Sequence, residues 1–244
     1  MMKEALSVSV VVPTYREAPN IQPLTERLFA ALEAAGLQGE LIVVDDNSQD
    51  GSAEKVEELS KRYPVRIIVR TTQRGLSSAV LAGFADARND IMICMDADLQ
   101  HPPEAVPSMV AILSEDQADF VLGSRYVDQG AIVGDWSLMR RVNAFGARLL
   151  ARPLTNLRDP MSGFFGIHRA TFENAARLDP IGYKIGLEML VKGRCRRSKE
   201  IPIEFAQRTA GESKLSLSEQ LRYLRHLIRL YRFRLTDRRG NGRS

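Results

Sequence analysis

The stretch "DIMICMDADLQHPPE", Asp90 to Glu104, decides the fold. Its first half, Ile91–Met95, is apolar at every position and too short for an ordinary helix. Such a run suits a strand covered on both faces, as in a parallel sheet, rather than the alternation of a half-exposed strand. It ends in two carboxylates, Asp96 and Asp98, with Gln100 and His101 behind them and Pro102–Pro103 opening a helix. An unpartnered charge beside a core is costly, so something outside the protein must compensate these carboxylates.

Working outward, the same alternation recurs. Apolar runs at 7–13 ("SVSVVVP"), 40–46 ("ELIVVDD"), 65–70 ("VRIIVR") and 119–125 ("DFVLGSR") are separated by helical patterns near 21–35, 53–62, 77–87 and 104–114. This is an α/β pattern: a mostly parallel sheet flanked by helices. Ligands bind such sheets at the carboxyl ends of the strands. Polar residues gather at those ends here, in Pro13–Glu17, Asp45–Asp46, Asp96–Asp98 and Arg125. Beyond Arg125 the pattern loosens into a Gly- and Asp-rich loop (126–136), a basic helix (137–154), a turn-like "DPMSGFFG" (159–166) and a further strand (200–208).

The 244 residues are 44% apolar and 26% charged, the balance of a soluble globular protein. No apolar run approaches the length of about 18 residues that a membrane-spanning helix needs, and the N-terminus lacks a signal-peptide pattern. Cys94 and Cys195 have no metal-ligand spacing and read as reduced cytoplasmic thiols. The net charge of +4 is unevenly placed: residues 219–244 hold eight arginines against Glu219 and Asp237, so the remainder is slightly acidic. The tail therefore calls for an anionic partner. An acidic body without aromatics interleaved on a basic face argues against nucleic acid.

Neither a G-x-G-x-x-G turn nor a phosphate-binding G-x-x-x-x-G-K-[ST] loop is present. A bound diphosphate would have to be neutralised by basic side chains or by a metal. Asp96, Asp98 and Gln100 offer the oxygen ligands that Mg²⁺ or Mn²⁺ prefers. His101 beside them is read as a helix start, since imidazole suits softer metals.

"VVVPTYREAPNI", "VVDDNSQDGS", "RGLSSAVLAGF", "MDADLQHPPE", "VLGSRY", "DPMSGFFGIHR" and "QRTAGESKLS" follow one another in the order found in inverting GT-A glycosyltransferases. The chain most resembles their dolichyl-phosphate (polyprenyl-phosphate) mannosyltransferase branch, over residues 7 to about 220. The resemblance implies that Pro13, Tyr15 and Glu17 surround the nucleotide base and ribose, with Val44 and Asp46 beside the base or sugar. It implies that Asp96, Asp98 and Gln100 hold the cation on the donor diphosphate, Ala97 adding a backbone contact. Arg208 and Lys214 would reach the donor phosphates, and Arg125 and Arg140 the acceptor phosphate, with Arg141 competing for the role of Arg140. Ser77 departs from a glycine usual in the family, and the spanning extension of many relatives is missing.

The expected activity is inverting transfer of mannose from GDP-mannose to a dolichyl or polyprenyl phosphate. A UDP-sugar donor is the alternative, and a non-catalytic nucleotide-sugar-binding subunit a further one. Asp159, before Pro160, is read as a turn former or loop anchor rather than a base, and Glu188 as structural. The expected organisation is a catalytic domain (1–217), a basic amphipathic helix (218–235) and a disordered tail (236–244). Leu217, Leu221, Leu224, Leu227, Ile228, Tyr231 and Leu235 share one helix face, with an adjoining arginine stripe. That helix is expected to lie on the cytoplasmic face of a membrane, where a small membrane subunit is a possible partner.

Overall fold

The computed structural model describes residues 6–132, 138–179, 181–182, 184–205 and 217–241. The continuous apolar runs form the expected strands: β1 (Ser7–Thr14), β2 (Gln38–Asp45), β3 (Val65–Val69), β4 (Ile91–Cys94) and β5 (Phe120–Ser124). Between them lie α1 (Ala18–Ala34), α2 (Ser52–Ser60), α3 (Leu76–Asp86) and, after a short 3₁₀ turn, α4 (Val106–Ser114). Later come β6 (Ala131–Ile132), α5 (Leu138–Ala151), β7 (Phe165–His168), α6 (Arg169–Glu173), α7 (Ile185–Lys192), β8 (Ser198–Pro202), β9 (Glu204–Phe205) and α8 (Leu217–Asn241).

Seven strands form one sheet in the order β3-β2-β1-β4-β7-β5-β8, and β6 pairs with β9. Only β7 runs antiparallel to its neighbours β4 and β5. Strand residues alternate between two cores. Val10, Val12 and Ile93 pack on the face that includes Leu24 of α1 and Met109 of α4. Val11, Met92 and Cys94 pack on the other face, with Phe84 of α3 and Leu187 of α7. Fully buried Phe84, Phe120 and Phe165 anchor that second face, each side chain contributing roughly 1.5–3 kcal/mol by burial. Gly83 lets α3 reach the sheet, because a Cβ there would stand 2.3 Å from Val11 Cγ1.

Three features correct the sequence reading. The turn-like 159–166 ends in a strand, β7. The segment 200–208 is not one strand: it breaks at Ile203, whose N–H turns to the Ser124 carbonyl at 3.1 Å. Helix α8 continues to Asn241, into the residues read as a disordered tail. Thr236 donates back to the Arg232 and Phe233 carbonyls, and Asp237 pairs with Arg194 at 2.8 Å, which satisfies that last stretch.

Helix α8 docks on a face that takes in Leu227 and Tyr231 of the apolar stripe and leaves the rest of it outside. His226, Leu227 and Leu230 are buried, while Leu221, Leu224, Ile228 and Leu235 stay exposed. The docking is largely polar. His226 Nε2 meets Glu188 Oε2 of α7 at 3.0 Å, Arg229 pairs with Asp179, and Tyr223 donates to the Ala147 carbonyl of α5 at 2.8 Å. Tyr231 donates to Leu150 O, and Arg234 to Pro153 O and Leu154 O. No described helix is long and apolar enough to cross a membrane.

Candidate active site

The carboxyl ends of β1, β2, β4 and β5 converge as expected. After β4 the chain turns at Leu99, whose φ of 59° lies in the left-handed region that non-glycine residues seldom adopt. Asp98 Oδ1 accepts the Gln100 N–H at 3.2 Å, a local bond of the kind that shapes turns. Asp98 and Gln100 are each 7% exposed and Ala97 is buried, whereas the Asp96 side chain is 33% exposed. Gly163, in the turn before β7, borders the triplet: a Cβ there would make ordinary contact with Asp96 Oδ1 at 3.5 Å.

His101 supports this triplet from behind. Its Nδ1 accepts the Asp96 N–H at 3.1 Å, its ring stacks on Phe164 at 5.2 Å, and Phe205 packs against it at 5.6 Å. Burial holds the imidazole below its ordinary pKa, against the opposing pull of Asp96 and Asp98. With Nδ1 engaged, His101 fixes the backbone of the triplet. Among the described residues no three His, Cys, Asp or Glu side chains converge on one point. Two carboxylates and an amide make only a partial oxygen shell. That donor set fits a hard divalent cation that completes its coordination with substrate phosphate oxygens.

On the donor side, Pro13 ends β1 and Tyr15 stands 44% exposed at its tip. The Arg16 and Arg74 guanidinium carbons lie 5.3 and 5.9 Å from the Tyr15 ring centroid. Glu17 accepts the Asn20 amide at 2.7 Å. Val44 is fully buried in the core, so its side chain shapes the wall from within. Asp46 is bound up with the loop before α3. Arg70 grips its Oδ1 with Nε and Nη2, the Gly75 N–H donates to Oδ2 at 2.6 Å, and Arg70 also reaches Ser78 and the Gly75 carbonyl. Ser77, in place of the family's glycine, is buried and donates to Gly182 O at 2.7 Å.

On the acceptor side, Arg125 follows β5 and lies against Phe205, 4.8 Å from the ring centroid. Nε and Nη2 engage both oxygens of Asp159 at 2.7 and 2.8 Å, and the backbone N–H adds a third bond at 3.1 Å. Burial alone would lower the Arg125 pKa, but the bonds to Asp159 outweigh it and the net shift is upward. Asp159 is itself fully buried, and Glu200 of β8 accepts the Arg158 and Asp159 N–H groups. Asp159 is thus a loop anchor. Arg148 of α5 lies 3.8 Å from the Tyr126 ring centroid, tying that helix to the same strand end. Arg140 and Arg141 occupy the first turn of α5; their side chains, and all of Arg208 and Lys214, lie outside the described residues.

Sequence reasoning missed the supporting residues Arg70 and His101 and the Asp159–Arg125 pair. Partners 24 or 34 positions apart carry no periodic signal. Only the Asp-Pro dipeptide hinted at an anchor.

Glycosyl transferase family 2 matches residues 9–175. The chain is 52% identical over 236 residues to a dolichol-phosphate mannosyltransferase of Mycosarcoma maydis, covering 93% of this chain and 80% of that one. It is 50% identical over 239 residues to the Saccharomyces cerevisiae dolichol-phosphate mannosyltransferase, covering 94% and 89%. Among solved structures, glucosyl-3-phosphoglycerate synthase from Mycobacterium tuberculosis, in complex with Mn²⁺, UDP and glucosyl-3-phosphoglycerate, superposes with a TM-score of 0.68. It shares 20% identity and covers 94% of this chain and 80% of that one. The shared architecture is the GT-A fold.

Proposed function

The chain belongs to glycosyl transferase family 2, and from that membership we propose that it transfers mannose from GDP-mannose to a dolichyl or other polyprenyl phosphate. Its identity to the two fungal enzymes supports both the sugar and the acceptor. The observation that carries the reading is the state of Asp159, whose two oxygens are committed to Arg125. A hydroxyl acceptor would need a general base. A phosphate monoester is already an anion at neutral pH and needs cations to hold and orient it.

In this reading Asp96, Asp98 and Gln100 would hold Mg²⁺ or Mn²⁺, which would supply positive charge to the donor diphosphate. Pro13, Tyr15 and Glu17 surround the nucleoside, Ala97 lends a backbone contact, and Val44 and Asp46 shape the pocket wall behind them. Arg208 and Lys214 contact the donor phosphates. Arg125, aimed by Asp159, binds the acceptor phosphate together with Arg140, so that one of its oxygens attacks the anomeric carbon with inversion. The protein works at a membrane surface, where the acceptor resides.

Incubation with a panel of GDP- and UDP-sugars, Mg²⁺ or Mn²⁺ and a polyprenyl phosphate tests the proposal. Mannosyl-phosphoryl-polyprenol from GDP-mannose alone is the expected product. Transfer only from a UDP-sugar would overturn the donor, and no transfer to any lipid phosphate would overturn the acceptor.

A further inference from the structure

One aromatic ring lies between the two halves of the candidate site. Phe205 is buried, and the Arg125 guanidinium carbon lies 4.8 Å from its ring centroid. The His101 ring meets the same ring edge to face, at 5.6 Å and 60°. Each of these neighbours is already fastened to a further group. His101 Nδ1 accepts the Asp96 N–H at 3.1 Å, and Arg125 is held by both oxygens of Asp159. Arg125, Phe205, His101 and Asp96 thus form a continuous chain of contacts from the acceptor side to the acidic triplet.

The break in the last strand segment puts the ring there. Strand β8 ends at Pro202, opposite Ser124 of β5. The Ile203 N–H then turns to the Ser124 carbonyl, and the Ala131 N–H donates to Ile203 O, both at 3.1 Å. Glu204–Phe205 therefore pairs with β6, Phe205 opposite Ile132, beside the end of β5 that bears Arg125. His101 is steadied as well by Phe164, which stacks on it at 5.2 Å. Gly123 of β5 makes room for that ring, since a Cβ there would stand 2.7 Å from Phe164 Cδ1.

A carboxylate fork fixes a guanidinium within its own plane but leaves the plane able to tilt about the axis joining the two groups. An aromatic face opposes that tilt, because cations favour the ring face. An edge-to-face contact restrains the imidazole in the same way. We propose that Phe205 is a positioning residue for the transfer, holding Arg125 and the Asp96–His101 unit in fixed relation so that the acceptor phosphate and the donor meet in line. This deepens the proposed function and rests on its two substrates. Alignment of that kind is where small displacements cost most.

Phe205→Leu tests it, because leucine stays apolar and removes the ring; Phe205→Met takes its place if the leucine variant fails to fold. Two measurements are made on variants whose unfolding temperatures show them folded. One is the kinetics of transfer to a polyprenyl phosphate. The other is calorimetric titration with GDP, or with UDP if the wild type binds that instead, with and without Mn²⁺. The expected result is a kcat about tenfold lower and a KM for lipid phosphate about fivefold higher. The gain in nucleotide affinity that Mn²⁺ confers should shrink about threefold, with affinity in its absence unchanged. Phe205→Tyr, which keeps the ring, should recover wild-type constants. Wild-type kinetics in the leucine variant would overturn the proposal, and so would a defect that tyrosine does not rescue. An altered KM with an unchanged Mn²⁺ effect would overturn the link to the triplet. Affinity lost equally with and without Mn²⁺ would make Phe205 a packing residue only. If the wild type transfers to no lipid phosphate, the acceptor reading fails, and the titrations, which need no acceptor, still decide whether Phe205 supports the triplet.

Discussion

The strand ends of β4 and β5 present the same chemical group in opposite settings. Asp96 at the first is one-third exposed, with His101 Nδ1 3.5 Å from its carboxylate. Asp159, beside the second, is fully buried and bonded on both oxygens to one guanidinium. Asp46 and Glu188 resemble Asp159, the one gripped by Arg70, the other by Lys192 and His226. Carboxylates already matched by protein cations hold the loops in place. In the proposed reading, those at the β4 tip serve the donor's cation instead.

Substitutions can break this distinction, and the largest effect should come from Asp98→Ala. Transfer is expected to fall roughly a thousandfold, equivalent to ~4 kcal/mol, with little change in thermal unfolding, because removing one of two adjacent carboxylates relieves repulsion. Near-normal turnover would remove Asp98 from the cation site. Asp159→Ala, unlike Asp98→Ala, should act on stability as well as on transfer. It strands Arg125, whose side chain is 11% exposed, and should cost about 3–5 kcal/mol in denaturant unfolding.

Glu188 sharpens the same contrast through pH. Burial would raise its pKa, but the bonds from His226, Lys192 and the Asp179 N–H outweigh that and hold the carboxyl below its ordinary value of 4.5. A depressed carboxylate contributes stability that is complete above its unfolded pKa and is lost as pH falls through the folded value. The stability gap between wild type and Glu188→Gln, on the order of 1–3 kcal/mol, should stay constant above that pKa and shrink below it in urea titrations. A gap independent of pH would show that the charge is unimportant. The smallest effect is expected for Asp96→Asn, within about 0.5 kcal/mol of wild-type stability; a loss comparable to that of Asp159→Ala would erase the distinction.

The parallel half of the fold was legible because its strands are buried on both faces and read as unbroken apolar runs. Strand β7 was not, since Phe165–His168 follows a Pro-, Ser- and Gly-rich turn and its pairing is to strands far away in sequence. The acidic triplet was legible from its place at a strand end. Its support was not: His101 was read as a helix start, and Arg70 lay unnoticed in a strand pattern. The α8 wheel left the docking contacts out for a related reason. Periodicity weighs apolar residues, whereas this helix docks through Tyr223, His226 and Arg234, whose polar ends reach carbonyls and a carboxylate.

Those contacts have a structural consequence for the neighbouring helix. The last carbonyls of any α-helix lack intrahelical donors, and its C-terminal end carries partial negative charge. Arg234 and the Tyr231 hydroxyl supply donors to Leu150, Pro153 and Leu154, at and just beyond the end of α5. Helix α8 therefore caps the C-terminal end of α5 from 80 or 81 residues away in sequence. A chain cut before Leu217 would lose that cap and fray the helix bearing Arg140, so catalysis would suffer even toward an acceptor already in solution.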